Sequence, residues 1–382
     1  MKKLLFFAMS LSILLPGAGM AANGEWFTYV GTYTNNNKSK GIYAYKFNQS
    51  TGALTEIGLV GETPSPSFLA VHPNQQFLYA VNEVSNYQGE RAGSVSAFAI
   101  DRATGKLKHL NTVSSKGDGP CHLVLDKKGK WLIVANYGGG STAIYPVKAD
   151  GSLGEASDFV QHTGTVALPQ RQGKPHAHYA TMSPDNKYVL VADLGLDQII
   201  VYDLDQTTGK LKPHNPPYGK TKPGTGPRHG AFRPDGKFFY VMTEIVPAVS
   251  AFSYDAAKGS LEEIQSISSL PEGDNTPNKS GAELLMHPNG KFLYASNRGP
   301  NTIAAFAIGK DGKLTAGERT PTGGRTPRSF AIDPSGKWLF AANQASDNIV
   351  LFKVDPANGK LTEAGKTLDV GTPVSVVFAA TK

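Results

Sequence analysis

The chain has 382 residues, with 38 basic and 31 acidic side chains, a formal net charge of +7 and a single cysteine, Cys121. One cysteine excludes an intrachain disulfide and a CxxC-type zinc site. The 42 Gly and 25 Pro beside 40% hydrophobic residues argue against a helical bundle and against global disorder. The basic residues are scattered, so the charge predicts at most a preference for small anionic molecules and no binding of nucleic acid.

The first 21 residues have the pattern of a secretory signal peptide. Lys2 and Lys3 precede an apolar run over residues 4–15, and small residues follow around Ala21. That run is too short to span a membrane, although a retained N-terminal anchor is an alternative. We therefore expect a periplasmic or secreted protein, free of the membrane after cleavage, with one domain over residues 22–382.

Two short elements recur along the rest of the chain. A Gly-x-Leu turn occurs seven times, with intervals of 53, 46, 58, 50, 53 and 47 residues between its leucines, which are Leu54, Leu107, Leu153, Leu211, Leu261, Leu314 and Leu361. A proline turn before an aromatic strand recurs out of phase with it, at Pro73, Pro184, Pro234, Pro288 and Pro334. The period is that of propeller blades, and the two elements together predict four antiparallel strands per repeat.

The two ends of the chain supply the strands of one further repeat. Residues 27–32 resemble a second strand without a first, and residues 373–378 resemble a first strand with nothing after it. Pairing them completes a blade and removes the open sheet edges of the ring. The sequence thus predicts an all-β, seven-bladed β-propeller of four-stranded antiparallel blades, closed by the N- and C-terminal strands in one blade.

Loop lengths and the repeat alignment indicate a working face. Five connections are longer than their equivalents in the other blades: the segments after Leu153, Leu211 and Leu261, and two connections within blades. All five fall on one face of the predicted ring. Three sets of equivalent positions meet at the channel mouth there. The first is Ser67, Cys121, His178, Arg228, Ala282, Arg328 and Val374; the second is Phe68, His122, Tyr179, His229, Glu283, Ser329 and Ser375; the third is Glu83, Tyr137, Leu194, Glu244, Arg298 and Gln344. Arginines, histidines and carboxylates are therefore expected to converge in one funnel.

Several of the histidines also have structural interpretations. His72 and His287 precede turn prolines and are expected to be structural, and the loop histidines His109, His162 and His214 are expected at the surface. His122 and His229 either satisfy backbone carbonyls between blades or belong to the site. The funnel carboxylates Glu83, Glu244 and Glu283 are compatible with pairing to the arginines.

A metal site is a further possibility that the sequence does not favour. His176 and His178 are spaced as two ligands on one strand face, but no third ligand is identifiable from spacing. We therefore expect no metal.

Five segments carry a resemblance to a known family: Pro175-His176-Ala177-His178, Val191 to Asp197, Gly226-Pro227-Arg228-His229, Glu244, and Ser296-Asn297-Arg298-Gly299. They resemble the lactonase family of seven-bladed propellers, which includes a bacterial 6-phosphogluconolactonase type and the fungal carboxy-muconate cyclases. The resemblance runs from Tyr29 to the C-terminus. It implies an active site of one His, two Arg and one Glu, carried here by His178, Arg228, Arg298 and Glu244. The repeat alignment places the same four residues in the funnel.

Lactone hydrolysis needs a base to activate water and a cationic group for the oxyanion. His178 is the candidate general base, with Glu244 either orienting it or acting as the acid-base group itself. Arg228 and Arg298 are expected to hold a carboxylate or phosphate and to stabilise the oxyanion. His176, His229, Arg328, Glu283 and His122 are expected to contact the substrate. No cofactor is required, and the absence of a Gly-x-Ser-x-Gly elbow disfavours a serine nucleophile.

The expected function is that of a carboxylic-ester hydrolase of carbohydrate metabolism, acting as a monomer on a small anionic lactone. The family-level expectation is 6-phospho-D-glucono-1,5-lactone, but the leader also points to an unphosphorylated aldonolactone, because phosphorylated sugars do not cross membranes freely. A muconate-type lactonizing cycloisomerase is the alternative enzyme. An exported, non-catalytic propeller that binds a protein or a glycan through the funnel face is the alternative of another class.

Overall fold

Short strands separated by glycine and proline turns form seven four-stranded antiparallel sheets in the computed structural model, which describes residues 24–381. The predicted seven-bladed β-propeller is confirmed. The signal peptide expected over residues 1–21 lies outside the described residues. Within the described part of the chain, none of the helices has the length and apolar character needed to cross a membrane.

The closing blade contains β28 (Pro373–Ala380), β1 (Glu25–Thr32), β2 (Gly41–Asn48) and β3 (Ala53–Glu62). Blades 1 to 3 follow in chain order, with β4 (Phe68–Val71), β5 (Phe77–Asn82), β6 (Ser94–Ile100) and β7 (Leu107–Ser114); β8 (Pro120–Leu125), β9 (Trp131–Asn136), β10 (Ser141–Pro146) and β11 (Asp158–Gln161); and β12 (Ala177–Met182), β13 (Tyr188–Asp193), β14 (Gln198–Leu204) and β15 (Leu211–Lys220). Blades 4 to 6 contain β16 (Pro227–Phe232), β17 (Phe238–Thr243), β18 (Ala248–Asp255) and β19 (Ser260–Ser268); β20 (Ser280–Met286), β21 (Phe292–Arg298), β22 (Thr302–Ile308) and β23 (Leu314–Pro321); and β24 (Pro327–Ile332), β25 (Trp338–Asn343), β26 (Asn348–Val354) and β27 (Leu361–Asp369). A four-residue helix, α1 (Pro169–Gln172), and a 3₁₀ turn (Gln344–Ser346) lie in loops.

The ring closes as the sequence predicts, by pairing of the two ends of the chain. Strand β28 runs antiparallel to β1, with Val376 opposite Val30 and Ala380 opposite Trp26. Beyond the strand, the Thr381 hydroxyl donates to the carbonyl of Glu25 at 2.8 Å. The two ends of the described chain are therefore neighbours in one blade.

The repeated glycines fix the contact between neighbouring blades. The seven Gly-x-Leu glycines have positive φ, from 58° to 83°, and a Cβ on any of them would come closer than 3.0 Å to an aromatic ring of the preceding blade. The pairs are Gly52 with Trp338, Gly105 with Phe27, Gly151 with Phe77, Gly209 with Trp131, Gly259 with Tyr188, Gly312 with Phe238 and Gly359 with Phe292. Glycine is required there both by the turn conformation and by the approach of the ring. The recurring turn is thus also an interblade joint.

Bulges at the start of the innermost strands aim the site residues. In β8, β12 and β24 the pairing register skips one residue, which is Cys121, His178 and Arg328 respectively. In β16 it skips both Arg228 and His229. A bulge interrupts the alternation of side chains and re-aims the extra residue. Adjacent residues of one strand can therefore both face the channel.

The loops differ from expectation in one blade. The segments over residues 33–40, 83–93, 162–176 and 269–279 are long connections, as the counts predict. After Leu211, however, the added residues belong to β15, which runs to Lys220 and takes up the extra length at a shift in its register with β14. The prediction of a long loop there was wrong, because residue counting cannot tell a lengthened strand from a lengthened loop.

Candidate active site

Glu244 lies in the funnel, directly after β17, and gathers the other three residues predicted to be catalytic. Its Oε2 accepts a hydrogen bond from Arg228 Nε at 2.9 Å and lies 3.0 Å from a terminal nitrogen of Arg298. His178 Nε2 is 3.9 Å from the same oxygen. The strands of blades 3, 4 and 5 thus bring all four residues together.

Arg171 is a fifth member of this cluster that the sequence did not predict. It lies on α1, in the long loop that leads into β12, and donates to Glu244 Oε1 at 2.9 Å. The loop length pointed to this segment. No repeat position corresponds to Arg171, however, so the alignment of blades could not select it.

The arginines control the charge of Glu244. Burial alone would raise the pKa of this carboxyl, but Arg298, Arg228, Arg328 and Arg171 together lower it to about 2. Glu244 is therefore an anion throughout the neutral range. An anion held by three guanidinium groups is a weak proton acceptor.

His178 is electrostatically different from its neighbour. Burial and the nearby Arg228 and His229 hold the pKa of His178 well below its usual value, so its imidazole is neutral at pH 7. The ring packs edge-on against Tyr137 at 5.3 Å, and its Nδ1 lies 3.7 Å from Cys121 Sγ. Burial raises the pKa of the Cys121 thiol, so the cysteine is protonated and is not a nucleophile.

Access to the funnel differs among these side chains. The exposed fraction is 1% for Arg228, 4% for His178, 10% for Glu244, 16% for Arg298 and 46% for Arg171. Arg228 donates to Glu244 and to the carbonyl of Ala282. Because Arg228 is buried and bonded to both of these acceptors, it positions Glu244. The more exposed guanidinium groups of Arg298 and Arg171 reach the open space of the funnel.

A second charged group lies across the funnel, on blade 6, the closing blade and blade 1. Arg328 has a terminal nitrogen 3.9 Å from Glu83 Oε2, and its guanidinium lies 5.4 Å from the centre of the Tyr33 ring. The Tyr33 hydroxyl donates to Glu83 at 2.8 Å. Burial alone would lower the pKa of Arg328, but Tyr33 and Glu83 outweigh it and raise that pKa.

Three residues predicted to bind substrate, His122, His229 and Glu283, lie in a layer below the funnel. His229 Nδ1 donates to Glu283 at 2.7 Å, and the other nitrogen, Nε2, is buried without a hydrogen-bond partner among residues 24–381. The rings of Phe68 and His122 have centroids 4.0 Å apart, and those of His122 and His229 are 5.3 Å apart. Tyr179 completes this layer of rings, 4.5 Å from His122.

A cavity of about 450 Å³ lies on the other side of this layer. Phe68, His122 and Glu283 line its inner end, whereas Pro73 and Lys127, from the turns of the opposite face, line its mouth. The channel is thus divided into an upper funnel that carries the arginines and a lower cavity with mainly aliphatic walls.

The remaining predicted site residue, His176, is held by the backbone. Its Nδ1 donates to the carbonyl of Tyr137 at 2.8 Å, and its ring stacks on that of Tyr137 at 4.4 Å. No cluster of three or more His, Cys, Asp or Glu side chains with the spacing of a metal site occurs among residues 24–381.

The other histidines were predicted with mixed success. His72 and His287 each contact a turn carbonyl of the next blade, that of Gly129 or Gly336, which confirms their structural role. His162 was predicted at the surface, which was wrong. It is buried, and its Nδ1 lies 2.7 Å from Asp193, because the long loop folds back over the end of β13.

Comparison with known proteins places this geometry in a family. The family model described as "Lactonase, 7-bladed beta-propeller" matches residues 27–378. A 6-phosphogluconolactonase of Bacillus subtilis is 36% identical over 356 residues, which cover 93% of this chain and 98% of that protein. The chain therefore belongs to the seven-bladed β-propeller lactonase family.

Two solved structures show the same architecture. A putative 6-phosphogluconolactonase from Bacteroides fragilis is 38% identical with a TM-score of 0.87, and the match covers 94% of this chain and 99% of that one. The periplasmic gluconolactonase PpgL of Pseudomonas aeruginosa is 33% identical with a TM-score of 0.88, over 94% of this chain and 100% of that one.

Proposed function

We propose that this protein is an enzyme that hydrolyses a sugar lactone to the corresponding aldonic acid. The observation that carries the proposal is the neutral, buried His178 beside an ionised Glu244 in an arginine-lined funnel. The named relatives support lactone hydrolysis over a muconate-type cycloisomerase and over a non-catalytic binding propeller.

His178 is the general base in the proposed reaction. Its imidazole removes a proton from water as the water oxygen attacks the lactone carbonyl carbon. Glu244 stabilises the imidazolium that forms, as a buried carboxylate does for a catalytic histidine. When the bond between the carbonyl carbon and the ring oxygen breaks, His178 returns the proton to the leaving alkoxide, which becomes a hydroxyl. The other product is a carboxylic acid, which keeps the second proton of the water and releases it to solvent as it ionises at neutral pH.

The exposed guanidinium groups stabilise the charge that develops on the substrate. Arg298 and Arg171 both reach the funnel, and both are anchored on Glu244. A prearranged cation beside the carbonyl oxygen stabilises the tetrahedral oxyanion more than the ground state. No cofactor takes part in this mechanism.

The test is a lactonase assay with a matched pair of histidine variants. We expect the wild-type protein to accelerate opening of D-glucono-1,5-lactone or its 6-phosphate above the spontaneous rate, and His178→Gln to lose about 100- to 10,000-fold in kcat. His109→Gln, which changes an exposed histidine of blade 1, is the control and should match wild type. Full activity of His178→Gln would contradict the mechanism.

The same preparation distinguishes the alternatives. Loss of the ultraviolet absorbance of a muconate substrate without lactone hydrolysis would support the cycloisomerase. Capture of a glycan or protein ligand by a preparation without either activity would support the binding propeller.

We also propose that the protein is exported. The support is the leader pattern of residues 1–21 and the similarity to a gluconolactonase described as periplasmic. Fractionation of the producing cells, with N-terminal sequencing of the mature protein, tests the compartment and the cleavage site together.

A further inference from the structure

Tyr137 lies in the funnel but takes no part in the mechanism above. It directly follows β9, as Glu244 directly follows β17. Its ring is held on two sides, because it stacks on His176 at 4.4 Å and packs edge-on against His178 at 5.3 Å. The backbone N–H of Tyr137 also donates to the carbonyl of Gly119 at 2.9 Å. Tyr137 is therefore a fixed part of the site.

The hydroxyl proton of Tyr137 has no acceptor among residues 24–381. The hydroxyl interacts by hydrogen bonding with the side chain of Arg171, and a guanidinium group can only donate. By contrast, the other tyrosine of the funnel, Tyr33, donates its proton to Glu83. The Tyr137 oxygen thus accepts from Arg171, and its proton remains available to a bound molecule.

The other groups around Glu244 cannot replace this donor. Arginine is not deprotonated in proteins, and Glu244, with a pKa of about 2, has no proton to give. The Cys121 thiol keeps its proton, but the side chain is buried. Burial and the charge of Glu244 raise the pKa of the Tyr137 hydroxyl, and Arg171 opposes that shift, so the phenol is protonated at neutral pH. Beside an imidazolium formed at His178, Tyr137 is therefore the acid available in this cluster.

The leaving group of an aldonolactone requires such a donor. The bond that breaks joins the carbonyl carbon to the ring oxygen, and this oxygen leaves as an alkoxide, which is a strong base. A phenol, with an ordinary pKa of about 10, is a stronger acid than an aliphatic alcohol, so transfer of its proton to the alkoxide is favourable. A positioned proton donor of this kind typically contributes about 100- to 10,000-fold to the rate.

We propose that Tyr137 is the general acid of the lactonase reaction and passes the proton held by His178 to the leaving ring oxygen. The proposal rests on the lactonase function above and adds a catalytic residue to it. As the bond from the carbonyl carbon to the ring oxygen breaks, the Tyr137 hydroxyl gives its proton to that oxygen. The phenolate then takes the proton that His178 removed from water, so both side chains return to their starting states. Arg171 stabilises the negative charge on the phenolate oxygen between these two transfers.

The experiment compares Tyr137→Phe with wild type on two six-membered lactones that differ in their leaving group. D-glucono-1,5-lactone releases an alkoxide, whereas dihydrocoumarin releases a phenolate, which needs little protonation because a phenol has a pKa of about 10. Tyr137→Phe keeps the ring and should fold and melt like wild type. It should lose about 100-fold in kcat on the first lactone but less than about threefold on the second, with KM nearly unchanged. Equal losses on both lactones, no loss on either, or a loss confined to KM would overturn the proposal.

A control and a second measurement complete the test. Tyr218→Phe removes the hydroxyl of an exposed tyrosine on β15, outside the funnel, and should match wild type on both lactones. If wild type does not hydrolyse dihydrocoumarin, chemical rescue on D-glucono-1,5-lactone decides. Imidazolium buffer should then accelerate Tyr137→Phe but not wild type, after subtraction of the rate without enzyme, and absence of rescue overturns the proposal. If wild type opens neither lactone, the proposed function fails, which is a different result.

Discussion

At the scale of single residues, His178 and Glu244 share one funnel but differ in protonation. Both are buried, yet the arginines lower the pKa of Glu244 to about 2, whereas burial and like charges lower that of His178 from its usual value. The first shift keeps a carboxylate charged and weakly basic. The second keeps an imidazole neutral and available. The sequence left open which residue is the base, and the charges of the folded protein favour His178.

This difference predicts the pH dependence of turnover. A base whose conjugate acid has a lowered pKa remains active as the pH falls, so the acidic limb of kcat/KM should have its midpoint below 6.5, the value of an ordinary histidine. The measurement is kcat/KM for D-glucono-1,5-lactone between pH 4.5 and 7.5, with the spontaneous rate subtracted. A midpoint above 6.5 would contradict a neutral, buried base.

The repeat alignment predicted the position of every catalytic candidate but not the protonation state of any of them. His178, Arg228, Glu244 and Arg298 occupy equivalent blade positions, so counting residues was enough to place them in one funnel. Arg171 has no equivalent, and protonation depends on burial, which counting does not give. The roles of these residues stay predictions until the variants are measured.

At the scale of structural elements, the Gly-x-Leu turn joins each blade to the one before it. Its glycine has positive φ and lies under an aromatic ring. In four of the joints a tyrosine hydroxyl also donates a hydrogen bond to the glycine carbonyl; the donors are Tyr29, Tyr79, Tyr240 and Tyr294. The sequence indicated a tight turn. It did not indicate the contact across blades, because the aromatic partner is distant in the chain.

A pair of glycine variants separates the contribution of the turn conformation to stability from that of the contact between blades. Gly312 and Gly365 both have positive φ, but a Cβ on Gly312 would meet Phe238, whereas one on Gly365 would meet nothing within 4 Å. Gly312→Ala should therefore lower the free energy of unfolding by about 2–4 kcal/mol, and Gly365→Ala by only about 1 kcal/mol. Denaturant unfolding of both variants checks this, and equal losses would show that the ring contact contributes nothing.

The bulges of the inner strands were beyond prediction from sequence. Strict alternation of side chains would point Arg228 and His229 to opposite faces of β16. Because the pairing register shifts there, Arg228 reaches Glu244 in the funnel and His229 reaches Glu283 in the layer below. A bulge is set by pairing with the neighbouring strand. Side-chain periodicity within one strand does not reveal it.

At the scale of the whole molecule, the fold could be predicted almost completely. The seven repeats gave the blade number, and the unpaired segments at the two ends gave the mode of closure. Repetition explains this success, because each blade tests the interpretation of the others. Blade 3, where an extended strand looked like a loop, shows the limit of the method.

Because both ends of the chain pair in one blade, the fold should tolerate circular permutation but not deletion of its last strand. A circular permutant that links residue 381 to residue 24 through a short Gly/Ser linker, with new ends between the exposed Ala256 and Ala257, retains every blade and should melt within a few degrees of wild type. Deleting residues 373–382 leaves a three-stranded blade with an open edge and should abolish cooperative unfolding and cause association. Calorimetry and size-exclusion chromatography measure both effects. A deletion variant that melts like wild type would show that the stability of the ring does not depend on the pairing of β28 with β1.

The layer of rings across the channel matters for inhibitor discovery. The cavity below it is roomy and mostly aliphatic, so a screen that scores shape alone would select compounds for that end of the molecule. Such compounds would raise the melting temperature by binding the folded state, while Phe68, His122 and His229 would keep them away from His178. Thermal-shift hits from this protein would therefore need sorting by competition with substrate, because the aliphatic end of the channel is not the end that carries His178.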